Sequence, residues 1–557
     1  MQVADAWSGG CRRSIAVAVL FCTWNQPVVV AALVVQVPSQ QPTLSAGITA
    51  ATDGDTVLVA SGTYTGAGNR NLSFGGKDIV VRSQSGAATC TIDAENAGRV
   101  FVFANAEGTG ARLEGFTIKR GFHVSAGGGI YVSGSSPTIV DCVISDNRTA
   151  NGSPGTLGVA GGDGGDGGGV YVTNGSPRFI GCTIQSNRTG KGGDGFVGSG
   201  TVGTAGGSGG SGGGIHVGVN SSVALEQCIV ADNETGVGGQ GGSGVVCVPP
   251  LACQTFGEDG GNGGDGGGLR TEAGVQAINC LFARNRTGTG GAAGFGVALP
   301  IPSPGRGGNG AAWHGGLPTS EVLNCTIAAN VAAAAGGAGQ PAGVGGGIEG
   351  SPTVANTVIW GNNSTPIAVL AQVSYSDVEG GFSGTGNIAA DPQFVSAPSG
   401  NYRILTGSPC VDVGNDTVLA ASVTTDLAGN PRNLDGDLDG TAVVDMGAYE
   451  LAPVTSDIGE SSAAIITLAL PHEPTDGGPV PLRYRVGSGG SMVRLDIFDV
   501  AGRHVRTLAN GWHPAGEHLR WWDRRSAAGT AAGRGIYFVC LRTPQVQGSR
   551  KLVLLRR

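Results

Sequence analysis

The sequence predicts an all-β chain: a solenoid of stacked parallel strands, followed by a small β-sandwich. One observation is repetition. The stretch 127–147, GGGIYVSGSSPTIVDCVISDN, returns as GGGVYVTNGSPRFIGCTIQSN at 167–187 and more loosely from 212, 266, 321 and 345, and self-similarity of this kind marks a stacked architecture. Another is alignment. Counting back from each closing Asn gives one column, Phe116, Cys142, Cys182, Cys228, Cys280, Cys325 and Thr357, and a second column two places on, Ile118, Ile144, Ile184, Val230, Phe282, Ile327 and Ile359. The third is a change of character near 471, after which short runs alternate, as in Leu482, Tyr484 and Val486 or Val493, Leu495 and Ile497.

Strand side chains alternate with period two, so both columns face the same way, while Val143, Thr183, Ile229, Leu281 and Thr326 face the other. One unit cannot bury its apolar face alone. Stacked on its copies it closes a continuous core, which is a β-solenoid. The column spacing, 26, 40, 46, 52, 45 and 32 residues, fits a basic coil of about 25 residues with insertions of varied length. All insertions fall between a closing Asn and the next Gly triplet, so they emerge along one edge.

The closing residues Asn147, Asn187, Asn233, Asn285, Asn330 and Asn362 stand where each strand turns. Asn tolerates the left-handed conformation of such turns, and stacked amides can bond to one another. Asn147-Arg-Thr and its counterparts are also formal glycosylation sequons. The ladder is the preferred reading, because the Asn recurs in Asn330-Val-Ala, where no sequon exists.

Composition narrows the function classes. A net charge of −8 and a pI near 5.4 leave no basic face to neutralise phosphates, which argues against nucleic acid as a partner. Glycine, 105 of 557 residues, is concentrated in the insertions, and without collagen's three-residue period these read as solvated flexible loops. Of the 12 Cys, five form the inward column. Stacked in register they stand too far apart for disulfides and read as buried thiols. Cys247 and Cys253 share one insertion and could clip it shut in an oxidising compartment.

Residues 1–36 read as a secretory signal: Arg12-Arg13, apolar runs at 15–22 and 28–35, and a small-residue exit near Ala31-Ala32. Neither run approaches the ~20 residues of a membrane span, so none is expected in the mature chain. Next, Leu44, Ile48 and Ala51 share one face of a short helix before a strand at 56–60, a natural cap for the open end of a solenoid.

PTLSAGITAATDGDTVLVASGTYT, NLSFGGKDIVVRS and ARLEGFTIKRG resemble the opening coils of the pectate-lyase-like superfamily of right-handed parallel β-helices. The repeats are similar to those of bacterial β-helix surface proteins, including chlamydial polymorphic outer-membrane proteins. DPQFVSAPSGNYRILTGSPCVDVG and TDLAGNPRNLDGDLDGTAVVDMGAYE resemble the usual end of such helices. The resemblance implies an all-β chain with a right-handed parallel β-helix over 37–450 and a linker at 451–470. DVAGRHVRTL, Trp522-Asp523, GIYFVCL and KLVLLR are similar to the immunoglobulin-like module of the flagellar hook-capping protein and to type IX secretion sorting domains. That second resemblance implies a small C-terminal β-sandwich at 471–557 that engages a secretion machinery.

The β-helix fold also hosts polysaccharide lyases and glycoside hydrolases, so chemistry has to be sought in residues. Hydrolysis needs two facing carboxylates, and uronide lyases need a calcium cluster and a base. The outward strand positions carry no stacked Asp pair and no Gly-His-Gly, so no catalytic residue is assigned. Glu114, Lys119, Arg120 and His123 read as a solvated edge, and His216, where other coils have Tyr131 and Tyr171, reads as packing. Asp435, Asp437 and Asp439 have the oxygen spacing of the start of a calcium loop, but Met446 stands where the bidentate Glu belongs, which leaves at most a structural calcium. Gly161-Gly-Asp163-Gly-Gly-Asp166 and Gly260-Gly-Asn262-Gly-Gly-Asp265 start like β-roll calcium repeats but lack their apolar position. The expected function is a non-catalytic secreted or cell-surface protein binding a polysaccharide or other surface. The alternative is a polysaccharide lyase or glycoside hydrolase.

Overall fold

The fold is that of a computed structural model, which describes residues 32–453 apart from 248–251, 298, 369–370 and 420–422, and 468–554 apart from 470–479, 487–489, 501, 515, 528 and 544–546. Three all-parallel sheets of 11, 10 and 8 strands run along one stack. In each coil from Phe101 on the chain passes from the 8-stranded sheet (as at Ile130–Ser133) to the 11-stranded sheet (Thr138–Val140) and then to the 10-stranded sheet (Val143–Ser145). This is a right-handed parallel β-helix. Both aligned columns are buried, and Ile144, Ile184, Val230, Phe282, Ile327 and Ile359 pair in exact succession as the alignment requires.

The coil ends follow from local chemistry. A helix at Leu44–Ala50, N-capped by Thr43 Oγ1, buries Leu44 and Ile48 over the first rung. Val34–Val37 already pairs with Thr56–Val59, so Val34, Val35 and Gln36, placed in the signal by sequence, form the first strand of the 11-stranded sheet. The rest of that segment, to residue 31, lies outside the described residues, as does most of the 451–470 linker.

The corners correct one expectation. The left-handed residue is the one before each closing Asn, namely Asp146, Ser186, Asp232, Arg284, Ala329 and Gly361, and in the coil before them Arg120, which precedes Gly121, with φ between 48° and 67° across these and the preceding corner at Asp141. The Asn side chain does something else. Asn147 Nδ2 donates to Asn187 Oδ1 at 2.9 Å, and the bond repeats from Asn187 through Asn233, Asn285 and Asn330 to Asn362. Asn187, Asn233, Asn285 and Asn330 are 0% exposed, which leaves no room for a glycan. The thiols Cys142, Cys182, Cys228, Cys280 and Cys325 are free and buried, and Cys228 N and Cys280 N each donate to the next coil's sulfur at 3.4 Å.

The regular coils end at Val378. The described residues of 391–450 then fold back over the outer face of the 10-stranded sheet as a strap. It contains a hairpin (Phe394–Ser396 with Asn401–Ile404) and packs Tyr402 on Ala231, Leu281, Ala283 and Ala328. Corner amides grip it: Gln227 Nε2 and Asn279 Nδ2 donate to Thr425, and Asn356 Nδ2 donates to Asn415 O. This is why the outward positions turn apolar late in the stack, with Leu281 and Val358 buried where Val143 and Thr183 are not.

The C-terminal residues form two antiparallel sheets, of three and four strands. Their shared core contains the alternating residues read from sequence, Leu482, Tyr484 and Val486 against Val493, Leu495 and Ile497, with Trp522 fully buried.

Candidate functional site

The insertions are packed. Within 161–167 each third amide reaches the same neighbour: Gly161, Gly164 and Gly167 donate to Ala205, Ser208 and Ser211 of the next coil at 2.9 Å. The pattern continues with Gly206, Gly209 and Gly212 on Asp259, Asn262 and Asp265, and again one coil further on. Three residues per turn without internal bonds is the polyproline II helix. The legs leaving the sheet form a second layer, joined to the first by bonds such as Gly207 N to Gly193 O and Gly239 N to Gly207 O, both 2.8 Å. A methyl group at Gly152, Gly190, Gly236 or Gly261 would fall on a neighbouring carbonyl oxygen, so only glycine allows the legs to approach this closely.

The insertions are therefore a two-layered slab and not flexible loops, because their amides are bonded from leg to leg. The Gly-Gly-X period of three is present in legs between 161 and 309, though not across the chain. The X residues complete the bonding: Ser208 N and Ser211 N donate to Asp163 and Asp166, and Arg306 N and Asn309 N donate to Asn262 and Asp265. Those carboxylates and amides, which resemble calcium-repeat positions, serve as backbone acceptors. The Thr of each apparent sequon joins slab to helix. Thr149, Thr189, Thr235 and Thr287 hydroxyls donate to carbonyls of the returning leg at 2.6–2.7 Å and accept an amide of the next coil. Recurrence of Thr two places after every Asn but the last two was the signal for this role.

In the coils before those the strap covers, the Asn corner opens into a groove of about 490 Å³. One wall is the left-handed corner column, Asn96, Arg120, Asp146 and Ser186, and the other is Arg148 and Arg188, with Asn147 between them. The left-handed backbone is what turns these side chains outward. Arg120 is held by a bidentate pair with the buried Asp93, whose carboxyl lies below the ordinary carboxylate range despite its burial, through hydrogen bonds from Arg120 and the Glu95 amide. Arg188 shares Glu234 at 3.3 Å, whereas Arg148 lies over the Phe122 ring and has no carboxylate partner among the described residues. Further along the stack the column closes on itself, where Arg284 pairs with Asp232 beside Tyr402 of the strap.

The other sequence candidates disperse. Lys119 joins Arg120 on Asp93, at 4.0 Å, whereas Glu114 pairs with Arg112 and His123 Nδ1 lies 2.9 Å from Arg99, so Glu114 and His123 do not converge with them on one centre. His216 is 3% exposed and packs on Tyr171, with ring centroids 4.9 Å apart.

Asp435 and Asp437 come together with Asp412, which sequence spacing did not indicate because the strap brings it from 23 residues earlier. Asp439 is spent in a turn, accepting from Thr441 N at 2.8 Å. One oxygen of Asp435, Oδ1, is buried without a partner. Oxygen ligands of this kind suit a hard cation such as calcium, although calcium takes six to eight of them.

Fold and site define a class: a parallel β-helix that carries a packed glycine slab along one edge. No protein-family model matches the chain, and no curated protein matches it. No described helix is long and apolar enough to cross a membrane.

Proposed function

We propose that the chain is a non-catalytic, secreted or surface-displayed binding protein that holds an acidic polysaccharide along its corner groove. The observation that carries this reading is the row of three guanidiniums lining the groove, of which Arg120 and Arg188 are paired with Asp93 and Glu234 while Arg148 has no carboxylate partner among the described residues, in a protein whose net charge is −8. A groove parallel to the stack suits an extended polymer, and guanidiniums pair with carboxylate or sulfate groups. General acid–base hydrolysis needs two carboxylates about one bond, and this groove supplies one. The C-terminal sandwich has its own core and is read as the export module.

Retention of the purified chain on polygalacturonate and on uncharged dextran tests this. The expected result is salt-sensitive retention on the acidic polymer, weakened about tenfold in the Arg148→Ala/Arg188→Ala double variant. Release of unsaturated or reducing-end product by the wild type, or equal retention of the double variant, overturns it.

A further inference from the structure

The slab ends in turns whose chemistry departs from its faces. No Asp, Glu, Lys or Arg occurs in 154–160, 195–203, 235–257 or 287–305. In the described parts of these turns large apolar side chains stand in solvent: Leu157 is 64% exposed, Val197 71%, Phe295 71%, Val297 72%, Leu299 78% and Ile301 70%. The turns are held in a row. Gly198–Ser199 pairs with Ser243–Val246, which pairs with Gln254–Gly257; Val297 N donates to Thr255 O, and a Cys247–Cys253 disulfide clips the third turn. Charged side chains such as Asp163, Lys191, Asp194 and Arg306 lie back along the legs. An exposed apolar row on a rigid support marks a docking surface.

We propose that this row docks into the boundary between headgroups and hydrocarbon of a lipid bilayer. Absence of charge is the argument for that occupant. Protein-binding surfaces are enriched in aromatic residues and Arg, with Tyr, Trp and Arg as the energetic centres, and carry a polar rim; the tips hold Phe196, Phe256 and Phe295 but no Tyr, Trp or Arg. An apolar phase requires the charge-free composition the tips have, because one Lys or Asp there would have to be desolvated. Three backbone amides at the tips, those of Gly200, Phe295 and Val297, are bonded to neighbouring turns, which lowers the cost of shallow insertion. This surface is separate from the corner groove and does not depend on polysaccharide binding.

Flotation of the full chain with phosphatidylcholine vesicles tests the proposal. The wild type is expected to rise with vesicles at roughly millimolar lipid and to do so equally in high salt, since no charge is involved. Phe295→Asp/Leu299→Asp is expected to lower partitioning at least about tenfold, with unchanged circular dichroism and melting midpoint because both positions are exposed. A wild type that stays in the aqueous fraction, or a double variant that floats as well as wild type, overturns the proposal. So does a wild type that stays in solution but forms a dimer that the double variant abolishes, which would make the row an interface between copies.

Discussion

The helix barrel and the glycine slab are both stacks with the same coil-to-coil step, yet they are built on opposite principles. The barrel is held by side chains: apolar columns, a thiol column and an amide ladder, each filling space and satisfying backbone groups inside the core. The slab is held by their absence, with glycine amides and carbonyls in direct contact and only the third residue of each turn carrying a side chain. The comparison teaches that burial alone does not need apolar residues. It needs every amide to find an acceptor, which Gly-Gly-Asp and Gly-Gly-Asn arrange.

The barrel side of that comparison breaks most severely at Asn233→Ala. Asn233 Oδ1 accepts from the Asn187 backbone amide at 3.1 Å and from Asn187 Nδ2 at 3.0 Å, while Asn233 Nδ2 donates to Ile184 O and Asn285 Oδ1. Removing it strands several fully buried groups, at about 1–3 kcal/mol each, so a total on the order of 4 kcal/mol is expected in denaturant unfolding. A loss under about 1 kcal/mol would show that water replaces the ladder.

Gly236→Ala breaks the slab instead. Its methyl would meet Gly190 O, and the leg has to move aside at a cost of about 2–3 kcal/mol. Hydrogen exchange should show slab amides losing protection while barrel amides keep theirs. Gln240→Ala, at an exposed X position of the same leg, is expected to change neither.

Barrel and slab also differed in how far they could be read from sequence. Cys142, Ile144 and their counterparts were legible because period two and an aligned Asn fix both register and face. Helix 44–50 was legible from three apolar residues at helical spacing. The slab was misread because glycine is taken as a mark of flexibility, and its order depends on neighbours that sequence does not place side by side. Half of each sequon was read correctly: the Asn ladder was expected, whereas the Thr hydroxyl clip needs the returning leg to be seen. The groove was not foreseen, since Arg120, Arg148 and Arg188 lie 28 and 40 residues apart. The acidic trio was half foreseen, with Asp412 supplied by the strap and Asp439 left out.

The seam between barrel and slab offers the finest test. His216 faces outward from the 8-stranded sheet, between Tyr171 and Arg270, with Asp166 of the slab 3.9 Å away and Glu272 and His314 nearby. Burial, with Arg270 adding to it, lowers its pKa from 6.5 to about 4, so the native state holds it neutral. Asp166 is shifted upward, chiefly by burial, and the contact is not an ion pair near neutrality because His216 is neutral there. Because the folded histidine binds its proton less readily than the unfolded one, its contribution is complete above pH 6.5 and is lost as pH falls toward 4. Asp166 acts in the opposite direction, which reduces the net acid sensitivity. His216→Tyr, which continues the Tyr131–Tyr171 stack, is expected to leave the melting point at pH 7 nearly unchanged and to recover on the order of 1–2 kcal/mol at pH 4.5. Equal acid sensitivity in the two proteins would mean that the seam admits water and that slab and barrel are not packed there as one unit.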